Sequence, residues 1–257
     1  MGTSGFEPVA DSLRDAVSGF YASGREPIAE AALRTTLDTN SALVERRGAP
    51  LVEVLRREVG ASSLAGIELL DVGCGFGALS LFFAFHGASV TAIDPHAYRI
   101  EVGQAIADLH GLPARFEQGR AQTLEAPDGA FDVAVLNNSL CYIVPRADRA
   151  AALTRVHAAL RPGGVLLVRD PNRWHPRDQF TRLPLVQLLP SRHARAVAER
   201  AGRRRSNVRV VSPFELRREL REAGFGRVKQ VTLHTGRRGA LLNPVGRYHL
   251  HAAVRDR

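Results

Sequence analysis

From residue 67 onward, short apolar runs alternate with segments whose apolar residues recur every three or four positions. Residues 67–72, 89–93, 114–119, 131–136 and 165–169 read as strands; 78–86, 98–110 and 146–160 read as helices. Gly111 and Pro113 stop the second of these helices, and "RPGG" ends the third. Alternation of this kind predicts an α/β chain, with parallel strands in one sheet and crossover helices layered on both faces. At 257 residues, 45% hydrophobic and 24% charged, the chain is long enough for one well-buried core with additions and too apolar for disorder. No internal repeat is visible.

Two regions stand outside the rhythm. Residues 11–59 read as largely helical, with Leu51, Val54, Leu55 and Val59 at helical spacing. Residues after Asp170 interrupt the alternation until Ser212. There Ser212, Pro213 and Glu215 form a capping-box signature that opens a helix running to Gly224. The last two apolar segments, 228–234 and 248–254, have no helix between them and are expected to pair antiparallel. The expected organisation is a helical cap over 1–65 and a main domain over 66–257, with a lid insertion over about 171–211, all in one compact unit.

Composition excludes several classes. No apolar run reaches the ~20 residues of a membrane span; the longest candidate, 78–93, is broken by His86 and Gly87. The N-terminus lacks a basic region followed by an apolar one, and Phe6 stands where a myristoylation signal needs Ser or Thr. Cys74 and Cys141 have no metal-type spacing, so no metal site is expected, and so few cysteines suit a reducing, cytoplasmic compartment. The net charge is +9, carried almost wholly by arginine, since Lys229 is the only lysine. Such a surface favours anionic partners without choosing among nucleotides, lipids and RNA.

The stretch "DVGCGFG" places Gly73, Gly75 and Gly77 between the first strand and its helix. Unpaired amides at a helix N-terminus stabilise a carboxylate or phosphate; a sharp turn with close helix–sheet packing explains the glycines equally well. Asp94, 19 residues beyond Gly75, ends the second strand, where a carboxylate can accept hydrogen bonds from two ribose hydroxyls. It also suits a helix cap, being followed by Pro95. Gly73-x-Gly75-x-x-Ala78 fits a dinucleotide fingerprint too, but Asp71 would repel a pyrophosphate and welcome an ammonium group. A ligand offering ribose, amino group and carboxylate is S-adenosylmethionine.

With these residues in view, the chain resembles class I S-adenosylmethionine-dependent methyltransferases over roughly 67–254. The resemblance rests on "LLDVGCGFG", "VTAIDP", "QGRAQTLEAPDGAFDVAVLNNSLCYI", "LRPGGVLLV" and "SPFELRRELREAGF", in that order. It implies a doubly wound, seven-stranded, mostly parallel sheet whose last strand is antiparallel. It implies that Asp71, Gly73, Cys74 and Gly75 hold the methionine moiety and that Asp94 binds the ribose. By the same resemblance Arg120 and Ala121 lie beside the adenine, and Asn137 and Asn138 line the pocket after the fourth strand. Arg120 stands where the family often has an acid that accepts from the adenine amine. Arginine has no acceptor, so Gln122 or a backbone carbonyl takes that role, or Arg120 stacks on the ring.

Methyl transfer needs alignment of acceptor, methyl and sulfur, and an oxygen acceptor of high pKa also needs a base. His175 in "PNRWHPRD" is the first candidate base, with Asp170 and Asp178 near in sequence to orient it; His234 is the second. An exposed loop histidine is the plain alternative for His175. His249 and His251 alternate on one strand face, which suits a structural role. Trp174 is placed to cover an aromatic or sugar acceptor, or simply to pack the lid. Tyr21 or Arg47 of the helical cap can reach toward the cofactor. "NNSL" lacks the N/D-P-P-Y form common in amino-methylating nucleic-acid enzymes of this fold, which disfavours nucleic acid. The expectation is methylation of a small molecule at oxygen. The apolar, arginine-flanked lid suits an anionic or lipid-linked acceptor, or is an ordinary solvated basic face. An RNA or protein methyltransferase, an NAD-dependent oxidoreductase and a non-catalytic cofactor-binding module are the alternatives.

Overall fold

The computed structural model describes residues 5–24, 26, 28, 30–203, 207–231 and 248–256. Three N-terminal helices, α1 (Glu7–Ala22), α2 (Glu30–Asn40) and α3 (Val44–Val59), precede β1 (Glu68–Val72), α4 (Ala78–Phe85), β2 (Ser89–Asp94), α5 (Ala97–Leu109) and β3 (Ala114–Gln118). Then follow β4 (Phe131–Asn137), α6 (Arg146–Ala159), β5 (Leu160–Pro171), α7 (Ser191–Arg200), α8 (Pro213–Glu222), β6 (Phe225–Gln230) and β7 (Tyr248–Arg255). The seven strands form one sheet in the order β3-β2-β1-β4-β5-β7-β6. β7 runs antiparallel to both neighbours, as the closing segments led us to expect. Among the described residues, no helix is long and apolar enough to cross a membrane.

The contacts divide the chain into two units, Met1–Arg120 with Phe131–Val133, and Ala121–Ala130 with Ala134–Arg257. In the first, β1, β2 and β3 are parallel, with Asp71 opposite Ala92 and Asp94 opposite Gln118. The sequence ALSLFFAF of α4 is apolar on every side, so this helix is buried nearly all round. Its Phe82 packs edge-on to Phe6, ring centroids 5.0 Å apart. Gly48 of α3 leaves room for the same ring: a Cβ there would lie 2.4 Å from it. Gly77, at φ +84°, and Gly103 of α5 seat Phe116 of β3 from two sides, with Cβ positions 2.3 and 2.5 Å from its ring. The third glycine of the loop therefore serves the turn and the packing together.

In the second unit, Ser212 and Glu215 form the reciprocal capping box expected from the sequence. Ser212 Oγ accepts from the Glu215 amide at 3.2 Å, and Glu215 Oε2 accepts from the Ser212 amide at 2.8 Å. β6 starts earlier than the 228–234 pattern suggested, because Gly224 (φ +101°) ends the helix and Phe225 at once packs against His157, centroids 4.9 Å apart. His234 lies outside the described residues. α6 ends just before the "RPGG" expected to stop it, and β5 begins at once at Leu160, running through that tetrad rather than starting at 165. The Arg255 guanidinium accounts for the helix end there, donating to the carbonyls of Ala158 and Leu160. Between β5 and α8 the chain forms a tight hairpin closed by an Arg177–Pro184 bridge, a 3-10 turn at Val186–Leu188, and α7. It returns beside β5 through an Asn172–Val211 bridge.

Two buried charged groups of this unit pair with each other. Arg149 of α6, 1% exposed, donates through Nε and Nη2 to Glu219 Oε2 of α8 at 3.1 and 2.6 Å. Its Nη1 donates to the Leu140 carbonyl at 2.6 Å. His249 and His251 are fully buried, rings 5.3 Å apart, and burial lowers both to about 4 and about 3. They are neutral packing groups at physiological pH.

Candidate active site

In the first unit the glycine loop and Asp94 are one hydrogen-bonded assembly. Asp94 is 4% exposed at the C-terminal end of β2. Its Oδ2 accepts from the Gly75 amide at 3.0 Å, and its Oδ1 from the His96 amide at 3.0 Å and His96 Nδ1 at 2.8 Å. Arg99 Nη1 stands 3.8 Å from Oδ1. Asp94 thus bears on the start of α5, as a cap would, while also gripping the loop. Gly73 and Cys74 are tied to β2 as well, both amides donating to the Ile93 carbonyl at 2.8 and 3.0 Å. Gly73 and Gly75 have φ of +78° and +61°, and nothing lies within 4 Å of a Cβ built on Gly75. Only glycine takes both conformations without strain, and the backbone beside Gly75 stays approachable.

Asp71 in β1 is 3% exposed and accepts from Ser80 Oγ at 2.6 Å. Burial pushes its carboxyl up to about 6; the Ser80 hydroxyl draws it back and the nearby Asp94 charge adds to the rise. Burial and the same two acids push the Cys74 thiol far up, so it is a poor nucleophile. Two buried carboxylates this near one another favour a cationic ligand group.

Aromatic rings border the loop. Phe20 of α1 stacks on Tyr98 of α5, centroids 4.4 Å apart and planes 5° from parallel. Tyr21 meets Phe76 of the loop edge-on at 6.1 Å, and Arg99 lies over Phe76 and Tyr98 at 5.7 and 5.5 Å. Of the cap residues singled out from sequence, Tyr21 thus reaches the loop. Ser80, His96, Tyr98 and Arg99 had gone unnoticed. Only the i+2 and i+5 spacing of His96 and Arg99 from Asp94 could have hinted at them. Arg120 is exposed, just after β3, where the Gly119 amide donates to the Asp94 carbonyl at 3.1 Å.

The second unit holds the other candidates. Ala121 is buried in a 3-10 turn at Ala121–Thr123. Asn137 ends β4, and its Oδ1 accepts from Arg169 Nη1 at 3.1 Å; that guanidinium lies 3.9 Å over the Tyr248 ring. Asn138 has φ +55°, a left-handed conformation that asparagine tolerates better than most residues and that often marks a working site. Its amide donates to the Arg169 carbonyl at 2.7 Å. Nothing in the sequence had drawn attention to Arg169 or Tyr248.

His175 is half-buried. Its Nδ1 lies 2.7 Å from the Arg177 carbonyl and 3.2 Å from the Arg177 amide. On the shorter contact, to an acceptor, we assign the proton to Nδ1, which leaves Nε2 with a lone pair. The carbonyl thus holds the ring. Asp178 Oδ2 accepts from the Thr181 amide and hydroxyl at 2.9 and 2.8 Å. Asp170 is 1% exposed, and burial pushes it up to about 7 against the pull of Arg149 and the Cys141 amide. Trp174 is 36% exposed and packs on Phe214, centroids 5.1 Å apart. Among the described residues, no three His, Cys, Asp or Glu side chains are grouped to hold a metal ion.

Comparison with known proteins gives a consistent picture. Residues 69–164 match a family described as a methyltransferase domain. Over 118 residues the chain is 35% identical to a ubiquinone biosynthesis O-methyltransferase of Methylobacterium sp. (strain 4-46), covering 46% of each. The chain thus spans about half the length of the curated relatives it matches. An S-adenosylmethionine-dependent methyltransferase of Mesorhizobium loti superposes with a TM-score of 0.59 at 22% identity, over 81% of this chain and 99% of that one. The Burkholderia thailandensis 1,6-didemethyltoxoflavin-N1-methyltransferase, solved with S-adenosylhomocysteine, superposes over 100% of this chain and 93% of its own, with a TM-score of 0.56 at 22% identity. At such identities the likeness establishes the fold.

Proposed function

We propose that the protein is an S-adenosylmethionine-dependent methyltransferase that methylates a small-molecule acceptor at oxygen, a reading supported by the match of residues 69–164 to a methyltransferase domain. The observation that carries the reading is the bond from the Gly75 amide to Asp94, which makes the amino-acid loop and the ribose acid one rigid receptor. The residues fit the cofactor. Asp71 is a buried carboxylate short of a cation, and the cofactor's ammonium supplies one; Gly75 leaves its flank open to the methionine chain. Asp94 Oδ2, beside the Gly75 amide, is the oxygen left to accept from the ribose diol. When bound, S-adenosylmethionine supplies a methyl group on a sulfonium, ready for one-step displacement.

The protein's part is to bind, align and take a proton. Asp71, Gly73, Cys74 and Gly75 are the methionine side of our assignment, with Asp94 for the ribose. Arg120 and Ala121 are assigned to the adenine, and Asn137 and Asn138 to the pocket wall. The N-terminal helices serve as a cap, Phe20 and Tyr21 of α1 shielding the loop through Phe76. His175, with Nε2 free to accept, is our assigned base for the acceptor hydroxyl. His234 stays a second choice. The O-methyltransferase name of the relative supports oxygen as the target. The arginine-rich insertion favours an anionic or lipid-linked acceptor, and the free thiols of Cys74 and Cys141 suit a cytoplasmic setting.

Calorimetry with S-adenosylhomocysteine and NAD tests the cofactor. Binding of the first alone is expected; binding of NAD alone would return the chain to the oxidoreductases. His175→Gln should lower kcat by about 10²–10⁴-fold and leave S-adenosylhomocysteine affinity unchanged. Wild-type turnover would remove His175 from the mechanism.

Affinity for S-adenosylhomocysteine should also depend on pH. Asp71 titrates at about 6 in the free protein, and only its ionised form pairs with an ammonium. Binding is therefore full above that value and falls as pH drops through it, by up to about tenfold per unit. A flat profile between neutral and mildly acidic pH would detach Asp71 from the ligand's amine.

A further inference from the structure

We propose that the insertion between β5 and α8 is a docking surface for an anionic lipid bilayer. Within it, Leu185 is 56% exposed, Leu188 43% and Leu189 39%. Trp174 of the insertion and Phe214 of α8 add to them, their ring centroids 5.1 Å apart. The Arg173 guanidinium donates to the Leu188 carbonyl at 3.4 Å, joining the two groups of side chains.

These leucines are held outward by the fold. Leu185 has φ +59°, a left-handed conformation that branched apolar residues rarely adopt. Its amide donates to the Pro176 carbonyl at 2.7 Å, and Leu183 accepts from the Asp178 amide at 2.9 Å. Gln187, 4% exposed, donates to the carbonyls of Asn172 and His175 from beneath. Val186 and Gln187 thus face in, while Leu185, Leu188 and Leu189 face out. A lid packed on its own core would reverse that choice.

The charge around the leucines names the occupant. Arg177, Arg182, Arg192, Arg195, Arg200 and Arg203 are exposed across residues 173–203, against one exposed acid, Glu199. An anionic bilayer satisfies both features: headgroups take the guanidiniums, the acyl boundary takes the leucines, and tryptophan favours the depth between. RNA would use the arginines and waste the leucines. A twofold contact with a second copy would set the same arginines against each other. The inference shares the insertion's arginines with the reading of the acceptor, but none of these residues is assigned to cofactor or base, so docking and methyl transfer can fail separately.

Vesicle sedimentation of the full chain tests it, with phosphatidylcholine alone and with phosphatidylglycerol added. Partition should be at least about tenfold stronger onto the anionic vesicles. The variant Leu185→Ser/Leu188→Ser/Leu189→Ser should lose about tenfold or more of that binding. Arg182→Gln/Arg192→Gln/Arg195→Gln should lose the preference for phosphatidylglycerol and keep wild-type melting and S-adenosylhomocysteine affinity. The arginine variant alone decides the matter if the serine variant fails to fold. Equal partition onto both vesicles, or retained preference in the arginine variant, overturns the proposal. Concentration-dependent dimers abolished by the serine changes would overturn it too, assigning the leucines to a second copy.

Discussion

Replacing Arg149 with leucine should destabilise the protein by about 3–5 kcal/mol, the cost typical of breaking a buried ion pair from one side. Arg149 is 1% exposed and Glu219 7%, so the acid left behind would be a buried, uncompensated charge. The Leu140 carbonyl would lose its donor as well. Arg209 cannot substitute: its Nη2 is 3.9 Å from the other carboxylate oxygen and its side chain is a third exposed. The expected readout is a melting temperature lower by about 10 °C, at ~2–4 °C per kcal/mol for a chain of this size. Arg149→Leu combined with Glu219→Leu should recover much of the loss, because apolar isosteres of a buried pair are often neutral. Arg149 also pins the turn at Leu140–Tyr142 through the Leu140 carbonyl. A melting temperature within a degree or two of wild type would show that α6 and α8 do not depend on the pair.

Asp94→Asn should weaken S-adenosylhomocysteine binding by about 10- to 150-fold. That range follows from ~1.5–3 kcal/mol for hydrogen bonds to a charged acceptor, lost when the carboxylate becomes an amide. The fold should lose far less. The amide oxygen still accepts from Gly75, but its NH₂ now faces the His96 donors, a mismatch worth about 1 kcal/mol. Asparagine is the sharper test than alanine, because alanine would also leave the Gly75 and His96 amides without an acceptor. Calorimetric affinity equal to wild type would show that Asp94 only anchors the loop and the start of α5.

The two variants differ in how visible their residues were beforehand. Asp94 stood out because a carboxylate at a strand end, 19 residues past a glycine loop, has few purposes. Local backbone chemistry fixes such a position, and the sequence displays it directly. The capping box at Ser212 and Glu215 was legible for the same reason. Arg149 was invisible, because its role depends on a partner 70 residues away and on helix faces that only packing brings together. Likewise Phe116 gave no sign that Gly77 and Gly103 would both make room for it.

Local periodicity and punctuation determined the strands, the helices, the antiparallel close and the residues of the loop. These follow from side-chain spacing and backbone freedom within a few positions. Tertiary packing decided the rest. It made Asp94 and Gly75 one unit, raised Asp71 by taking its carboxyl out of water, set the tautomer of His175 through the Arg177 carbonyl and turned the insertion's leucines outward. Burial and the chance of a hydrogen bond are properties of where distant segments end up, and no window of sequence contains them.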